Sequence, residues 1–368
     1  MALGIGIVGL PNVGKSTLFN ALVGSPAAQA ANYPFCTIDP NVGVVPVPDS
    51  RLEKLSELFK PKKTIPTTLE FIDIAGLVAG ASKGEGLGNQ FLSHIRQMDA
   101  IAHVLRCFED ADVVHVGGRV DPAGDRDVVD TELMLKDLES VEKRRERTQK
   151  NTKASGKAGE TAKAELAALD RVAAALEQGV PVRSQKLGED ERSAIADLFL
   201  LTSKPVVYIA NVDEEQLVRP DDRVRAVQGL AAGEGHQCVT LCGKVEAEIA
   251  ELPEAERLEF LKGLGLAEPG LSRLVHACYR ELGLITFFTV GEDECRAWTL
   301  KSGARAPRAA GTIHTDFERG FIKAEVARVD ELLALGSEHA VREKGLMRIE
   351  GKEYVVQDGD VMHFKFNV

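Results

Sequence analysis

A glycine-rich loop, Gly9-Leu10-Pro11-Asn12-Val13-Gly14-Lys15-Ser16, lies between a short apolar run at residues 3–8 and a helix-like pattern from Lys15 to Val23. This GxxxxGKS spacing constrains the chain more than any other feature. Its glycines let successive backbone N–H groups turn inward around phosphate oxygens, and the helix that follows adds its positive end. Strand, loop and helix in that order are the setting the motif requires. Asn12, Val13, Gly14, Lys15, Ser16 and Thr17 are therefore expected to grip the phosphates of a purine nucleoside triphosphate. Lys15 neutralises the β- and γ-phosphates and is the first candidate catalytic residue, while the Ser16 hydroxyl is placed to bind Mg²⁺.

The rest of the chain is consistent with a doubly wound α/β domain around that loop. Strand-like runs recur at residues 69–73, 100–105, 205–210 and 237–241, with helix-like stretches between several of them, which implies a mostly parallel sheet. The alternation breaks between about Asp127 and Ser203. There, Leu133, Leu135, Leu138 and Val141 sit among dense charges. Leu166, Leu169, Val172 and Leu176 repeat the style, and the glycine-containing segment 151–160 reads as a turn between two helices. The expectation is an inserted antiparallel helical arm over 127–200, splitting a nucleotide-binding domain into 1–126 and 201–282. Lys143, Arg144, Arg145, Arg147, Lys150 and Lys153 make its far end basic. After Gly283 the texture turns to strands at 285–290, 354–356 and 361–366, so 283–368 is expected to form a small β-rich domain.

Composition narrows the partners. With 368 residues and 44% hydrophobic side chains the chain can bury more than one core, and a net charge of -11 argues against wholesale coating of nucleic acid. Any RNA contact must then be local, through the arm or through Arg305, Arg308, Arg319, Lys323 and Arg328 in the last domain. The six cysteines contain no CxxC pair, and Cys238 and Cys242 near His236 read as core and loop thiols rather than metal ligands. No signal peptide and no membrane-length apolar run are evident, so a cytoplasmic location is expected.

Three further segments complete the expected site. Asp73 ends a strand and is followed by Gly76, a DxxG spacing that places the carboxylate near the Mg²⁺ shell and the Gly76 N–H near the γ-phosphate. Thr37, in Tyr33-Pro34-Phe35-Cys36-Thr37, is a second candidate magnesium ligand. Leu77 follows Gly76 where Ras-type enzymes carry a water-orienting glutamine, so water must be placed otherwise. Of His94, His103 and His115, the last sits beside Gly117-Gly118 in a loop and is the candidate for placing it. Asn211-Val212-Asp213-Glu214 stands where GTPases have Asn-Lys-x-Asp. Val212 replaces the lysine and Glu214 the guanine-reading Asp, which weakens guanine readout, although Glu214 or Asp213 could still accept from guanine. Asn211 can offer an amide to a purine edge. The loop at Gly243 closes over the base.

Together these segments, with Gly80-Ala81-Ser82-Lys83-Gly84-Glu85-Gly86 and residues 309–321, resemble the YchF / Obg-like ATPase family of P-loop proteins along essentially the whole chain. The resemblance implies a nucleotide-binding domain interrupted by a coiled-coil arm and followed by a ubiquitin-like TGS domain. It implies slow Mg²⁺-dependent hydrolysis with ATP preferred over GTP, and binding to the ribosome, on its large subunit, in a translation-associated or stress role. Asn12 matches a P-loop asparagine that in related proteins helps hold K⁺. A GTP-driven switch on the same phosphate site is the alternative.

Overall fold

A computed structural model describes residues 3–24, 41–74, 80 and 87–367. The strands are β1 (Gly4–Val8), β2 (Val42–Pro46), β3 (Lys63–Ile65), β4 (Thr68–Asp73), β5 (Ala100–Arg106), β6 (Val206–Asn211), β7 (Gln237–Leu241), β8 (Leu284–Thr289), β9 (Glu294–Lys301), β10 (Phe321–Arg328), β11 (Arg348–Glu350) and β12 (Asp360–Phe366). They form two sheets in two compact units, one of residues 1–44 and 70–278, the other of 45–69 and 279–368.

In the first unit the strand order is β2-β4-β1-β5-β6-β7. β1 runs parallel to β4 and β5, and β5, β6 and β7 follow in parallel. Every residue of β1, β5 and β6 is buried, as expected of central strands covered on both faces. The order reverses at β1, and the loops at the carboxyl ends of β1, β5, β6 and β7 gather where an open α/β sheet holds its ligand. This is the α/β fold expected for the glycine-rich loop.

The hairpin differs in where it begins. Its first helix runs Pro122–Asn151, starting before the expected Asp127, because Asp121 caps it by accepting from the Gly124 N–H and Pro122 supplies a pre-set φ at the first position. The second helix runs Lys157–Glu177, and the short connection between them makes the two antiparallel. Val141, Leu169, Val172 and Leu176 meet Val182, Leu187, Ile195 and Leu200 in one apolar cluster at the hairpin's root. Asp137, fully buried, accepts from the N–H groups of Leu201 and Thr202 and from the Thr202 hydroxyl, which ties that root together.

The second unit is a mixed sheet, β11-β10-β12-β8-β9-β3. β8 pairs antiparallel with β9 and parallel with β12, while β10 is antiparallel to both β11 and β12. Neighbouring residues of β8 face opposite sides, as a period of two requires. Phe288 packs with Leu52 and Leu55 of the helix Ser50–Phe59, and Phe287 packs with Ala306, Ala309 and Ala310 of the helix Ala306–Ile313. Residues 45–69, which the sequence reading placed in the nucleotide-binding domain, thus help build the other unit's core. Of the expected strand at 354–356 only an isolated bridge from Val355 to Arg305 forms.

Candidate nucleotide-binding site

The phosphate loop owes its shape to groups drawn from distant segments. Gly14 has φ +96°, and a β-carbon there would lie 2.2 Å from Asn211 Nδ2, so no other residue fits. Asn12 adopts a left-handed φ of 62°, a conformation asparagine tolerates better than most residues. Lys15 is 8% exposed, and its ammonium donates to the Leu10 carbonyl at 2.8 Å across the loop. Burial lowers its pKa, and the Asp73 carboxylate opposes that shift. The helix Lys15–Gly24 carries no acidic residue in its first turn, so its positive end is left for an anion. Ser16 and Thr17 are exposed there.

Ser16 Oγ donates to Asp73 Oδ2 at 2.8 Å, joining the loop to the end of β4. A hydroxyl and a carboxylate oxygen side by side are hard donors suited to Mg²⁺, so these residues fit the ion that such loops share with phosphate. Among the described residues no group of three His, Cys, Asp or Glu side chains could hold a metal by itself. The expected ligand Thr37, the γ-phosphate sensor Gly76, and Leu77 lie outside the described residues.

At Asn211 the structure adds contacts that the sequence reading did not include. It is buried, its Nδ2 donates to the Val13 carbonyl at 2.8 Å, and its Oδ1 accepts from the Gly243 N–H at 3.0 Å. The amide expected to meet a purine edge also clamps the phosphate loop to the Gly243 loop, with one of the two Nδ2 hydrogens and one of the two Oδ1 lone pairs used in doing so. Its neighbours also have other work. Val212 is buried and its N–H donates to the Leu241 carbonyl. Asp213 Oδ1 caps the helix Glu214–Val218 by accepting from the Gln216 N–H at 2.8 Å. Glu214, at the first position of that helix, is exposed.

The loop after β5 forms another wall. Arg106, buried at its root, donates to the carbonyls of Phe108, Val113 and Asp110 and lies over the Phe108 ring at 4.6 Å. Asn12 Nδ2 donates to the Val114 carbonyl at 3.1 Å, which fastens this loop to the phosphate loop. His115 follows directly. It is buried, Nε2 meets Asp125 Oδ2 at 2.9 Å, and Nδ1 accepts from the Gly117 N–H at 3.0 Å. Burial raises the Asp125 pKa, with the His115 contact acting against it. Of the other histidines, His94 is exposed on its helix, and His103 lies in β5 opposite Tyr208 of β6, their rings 5.8 Å apart. The Arg106 staple and the Asp125 partner were missed by sequence reasoning; the Asp121-Pro122 helix start was the available pointer to the second.

Two family models match the chain: one described as 50S ribosome-binding GTPase over residues 4–153, and YchF-GTPase_C, described as a protein of unknown function, over 284–367. The ribosome-binding ATPase YchF of Bacillus subtilis is 54% identical over 370 residues, covering 100% of both chains. The chain belongs to the YchF family. The Escherichia coli O157:H7 protein of the same name is 53% identical over 368 residues, again with full coverage of both. Obg-like ATPase 1 of Caenorhabditis elegans is 45% identical, covering 99% of this chain and 92% of its own. In three dimensions the Schizosaccharomyces pombe YchF GTPase aligns with a TM-score of 0.90 at 40% identity, covering 99% of this chain and 97% of that one. The α/β P-loop fold and the family are thereby established, and among the described residues no helix is long and apolar enough to cross a membrane.

Proposed function

We propose that this chain is a ribosome-binding ATPase that splits ATP to ADP and phosphate with Mg²⁺. The observation that carries the base preference is the Asn211 loop. The position of the guanine-stacking lysine holds buried Val212, Asp213 is engaged as a helix cap, and the remaining carboxylate, Glu214, is exposed. Losing a paired contact to guanine costs about 1–3 kcal/mol. The bacterial relatives are named ATPases, which agrees.

In hydrolysis, Lys15 and the loop amides stabilise charge that develops on the phosphoryl oxygens as the β–γ bond breaks and water attacks. Ser16, with Asp73 beside it, would hold Mg²⁺, which would supply charge neutralisation at the phosphates. Asp73 holds the Ser16 hydroxyl, and Asn211 keeps the Val13 and Gly243 backbones in register around the nucleotide. His115 is the residue proposed to place the water once its ring is released from its present partners. Among the described residues no strong base is at hand, and slow intrinsic turnover is expected. The Asn12 amide oxygen is the donor a K⁺ ion would use, and faster hydrolysis in KCl than in NaCl is the result expected.

The proposed ribosomal contact, on the large subunit, uses the helical hairpin as a coiled-coil arm and residues 283–368 as a TGS-type domain. Arg147, Lys150 and Lys153 are exposed at the hairpin's tip. In the last domain Arg305 and Arg308 are matched by Glu353 and Glu318, so the arm carries more of the electrostatic attraction to RNA. A GTP-driven switch is the second reading, favoured by the match of residues 4–153 to the family model described as a 50S ribosome-binding GTPase. Calorimetric affinities for ATP, GTP and their diphosphates decide between the two: ATP is expected to bind more tightly, and GTP binding as tight or tighter would reverse the assignment. Cosedimentation with ribosomal subunits over a salt series tests the partner.

A further inference from the structure

The His115 ring is fully engaged. Because Nδ1 accepts the Gly117 N–H, the ring proton sits on Nε2 and is donated to Asp125, so the neutral imidazole has no lone pair left for a water. The turn is closed again by the Gly118 N–H donating to the His115 carbonyl. Asp125 stands in the first turn of the helix Pro122–Asn151, but that helix start is already served by Asp121, whose side chain accepts from Gly124 and whose carbonyl accepts from the Asp125 N–H. An acid in a first turn suits the helix dipole, yet an exposed one would serve equally. Here the carboxylate is buried, at a desolvation cost, against one imidazole. The residues flanking that imidazole, Val114 and Val116, are instead 76% and 57% exposed, apolar surface that a rearranged loop could cover.

We propose that Asp125 is a positioning residue that latches His115 in an unproductive orientation, so that hydrolysis waits on release of the ring at the root of the helical hairpin. This rests on the reading of His115 as the water-placing group. Gly117 and Gly118, the latter at φ +75°, supply the backbone freedom a swinging loop needs. Asp125 is also the start of a continuous rod: 26 residues of helix, about 39 Å at 1.5 Å per residue, separate it from the tip at Asn151. A partner that holds the tip can therefore bias the latch without touching the nucleotide.

The test is steady-state hydrolysis at saturating Mg·ATP, with calorimetric ATP affinity, for the full chain and for Asp125→Asn, His115→Ala and the double variant. Asparagine keeps the volume and an acceptor but removes the charge, so the latch weakens and kcat is expected to rise on the order of tenfold. ATP affinity should stay unchanged, and the gain should vanish in the His115→Ala background. Asp125→Ala, with no acceptor at all, should give a larger gain and confirms the direction if either variant is less stable. An unchanged or lower kcat in both Asp125 variants overturns the latch. If His115→Ala retains full turnover, the reading of His115 fails as well, whereas a slow His115→Ala with no gain in the Asp125 variants removes the latch alone.

Discussion

The phosphate loop and the helical hairpin belong to one compact unit, yet they are held in opposite ways. The loop is fixed by hydrogen bonds between residues far apart in the chain: Asn211 to Val13 across 198 residues, Asn12 to Val114 across 102, and Ser16 to Asp73 across 57. The hairpin is held along its length by pairs between its own two helices, Arg144 with Glu165 and Arg145 with Asp170, both half-exposed, and by an apolar cluster that runs from its root out to Val141 and Leu169. Each bond at the loop brings its partner from a different segment, and the Asn211 bond is buried away from water, whereas those of Ser16 and Asn12 are open to it. Each pair on the hairpin is one of several, and water can replace it. The difference predicts large, specific losses at the loop and small, salt-sensitive ones along the hairpin.

The sharpest case is Lys15→Ala. It removes the one ammonium buried in the loop and leaves the Leu10 carbonyl without its partner, so hydrolysis should fall by at least about a hundredfold and triphosphate affinity with it. Single-turnover rates with equilibrium binding would check this. A variant that still turned over at a tenth of the native rate would mean that the loop amides alone carry the developing charge.

Asn211→Ala comes next and separates clamp from base reader. Both the Val13 carbonyl and the Gly243 N–H lose their partner, which should cost roughly 2–3 kcal/mol of stability by chemical denaturation. Affinity for ATP and GTP should weaken by the same factor, because the loops shift under either nucleotide. A loss confined to one nucleotide would return Asn211 to the base edge.

How much of this was legible follows the same division. The phosphate loop could be read because its chemistry sits in eight consecutive residues, whose glycines are needed by the backbone itself. The hairpin could be read because apolar spacing and charge are local properties. What stayed hidden was the meeting of distant segments. Nothing near Asn211 announces that its amide faces Val13, and nothing near Arg106 that it staples the loop ahead of His115. Residues 45–69 were assigned by their place in the chain, whereas Leu52 and Leu55 pack against Phe288, far along it. The hairpin's start was legible in Asp121-Pro122, a cap and a first-turn proline that lie ahead of the apolar pattern from which the arm was read.

Where the sheet meets the hairpin's root, the comparison acquires a pH dependence. His103 is buried in β5, and its pKa is lowered to about 4 by burial, with Asp130 acting against the shift and Arg183, Arg126 and Lys15 adding to it. Its ordinary value is about 6.5, so between pH 6.5 and 4 the unfolded chain holds the extra proton. Stability from this group is therefore complete above about pH 6.5 and lost as pH falls toward 4, by about 3 kcal/mol in all. His103→Phe, which keeps a ring against Tyr208, should flatten that part of the stability profile relative to the native chain. Parallel profiles would show that His103 is solvated well enough to titrate normally.

Arg144→Ala should have the smallest effect, although Arg144 makes two ion pairs, with Glu165 at 2.6 Å and Asp197 at 3.0 Å. Its side chain is a third exposed and Asp197 more than half, so each pair is screened and replaceable, and the loss should stay below about 1 kcal/mol. Raising the salt concentration should shrink the difference in melting temperature between variant and native chain toward zero. A loss of several kcal/mol that persisted in high salt would mean that Arg144 is packed rather than merely paired. The hairpin would then depend, as the phosphate loop depends on Asn211, on a buried contact that water cannot replace.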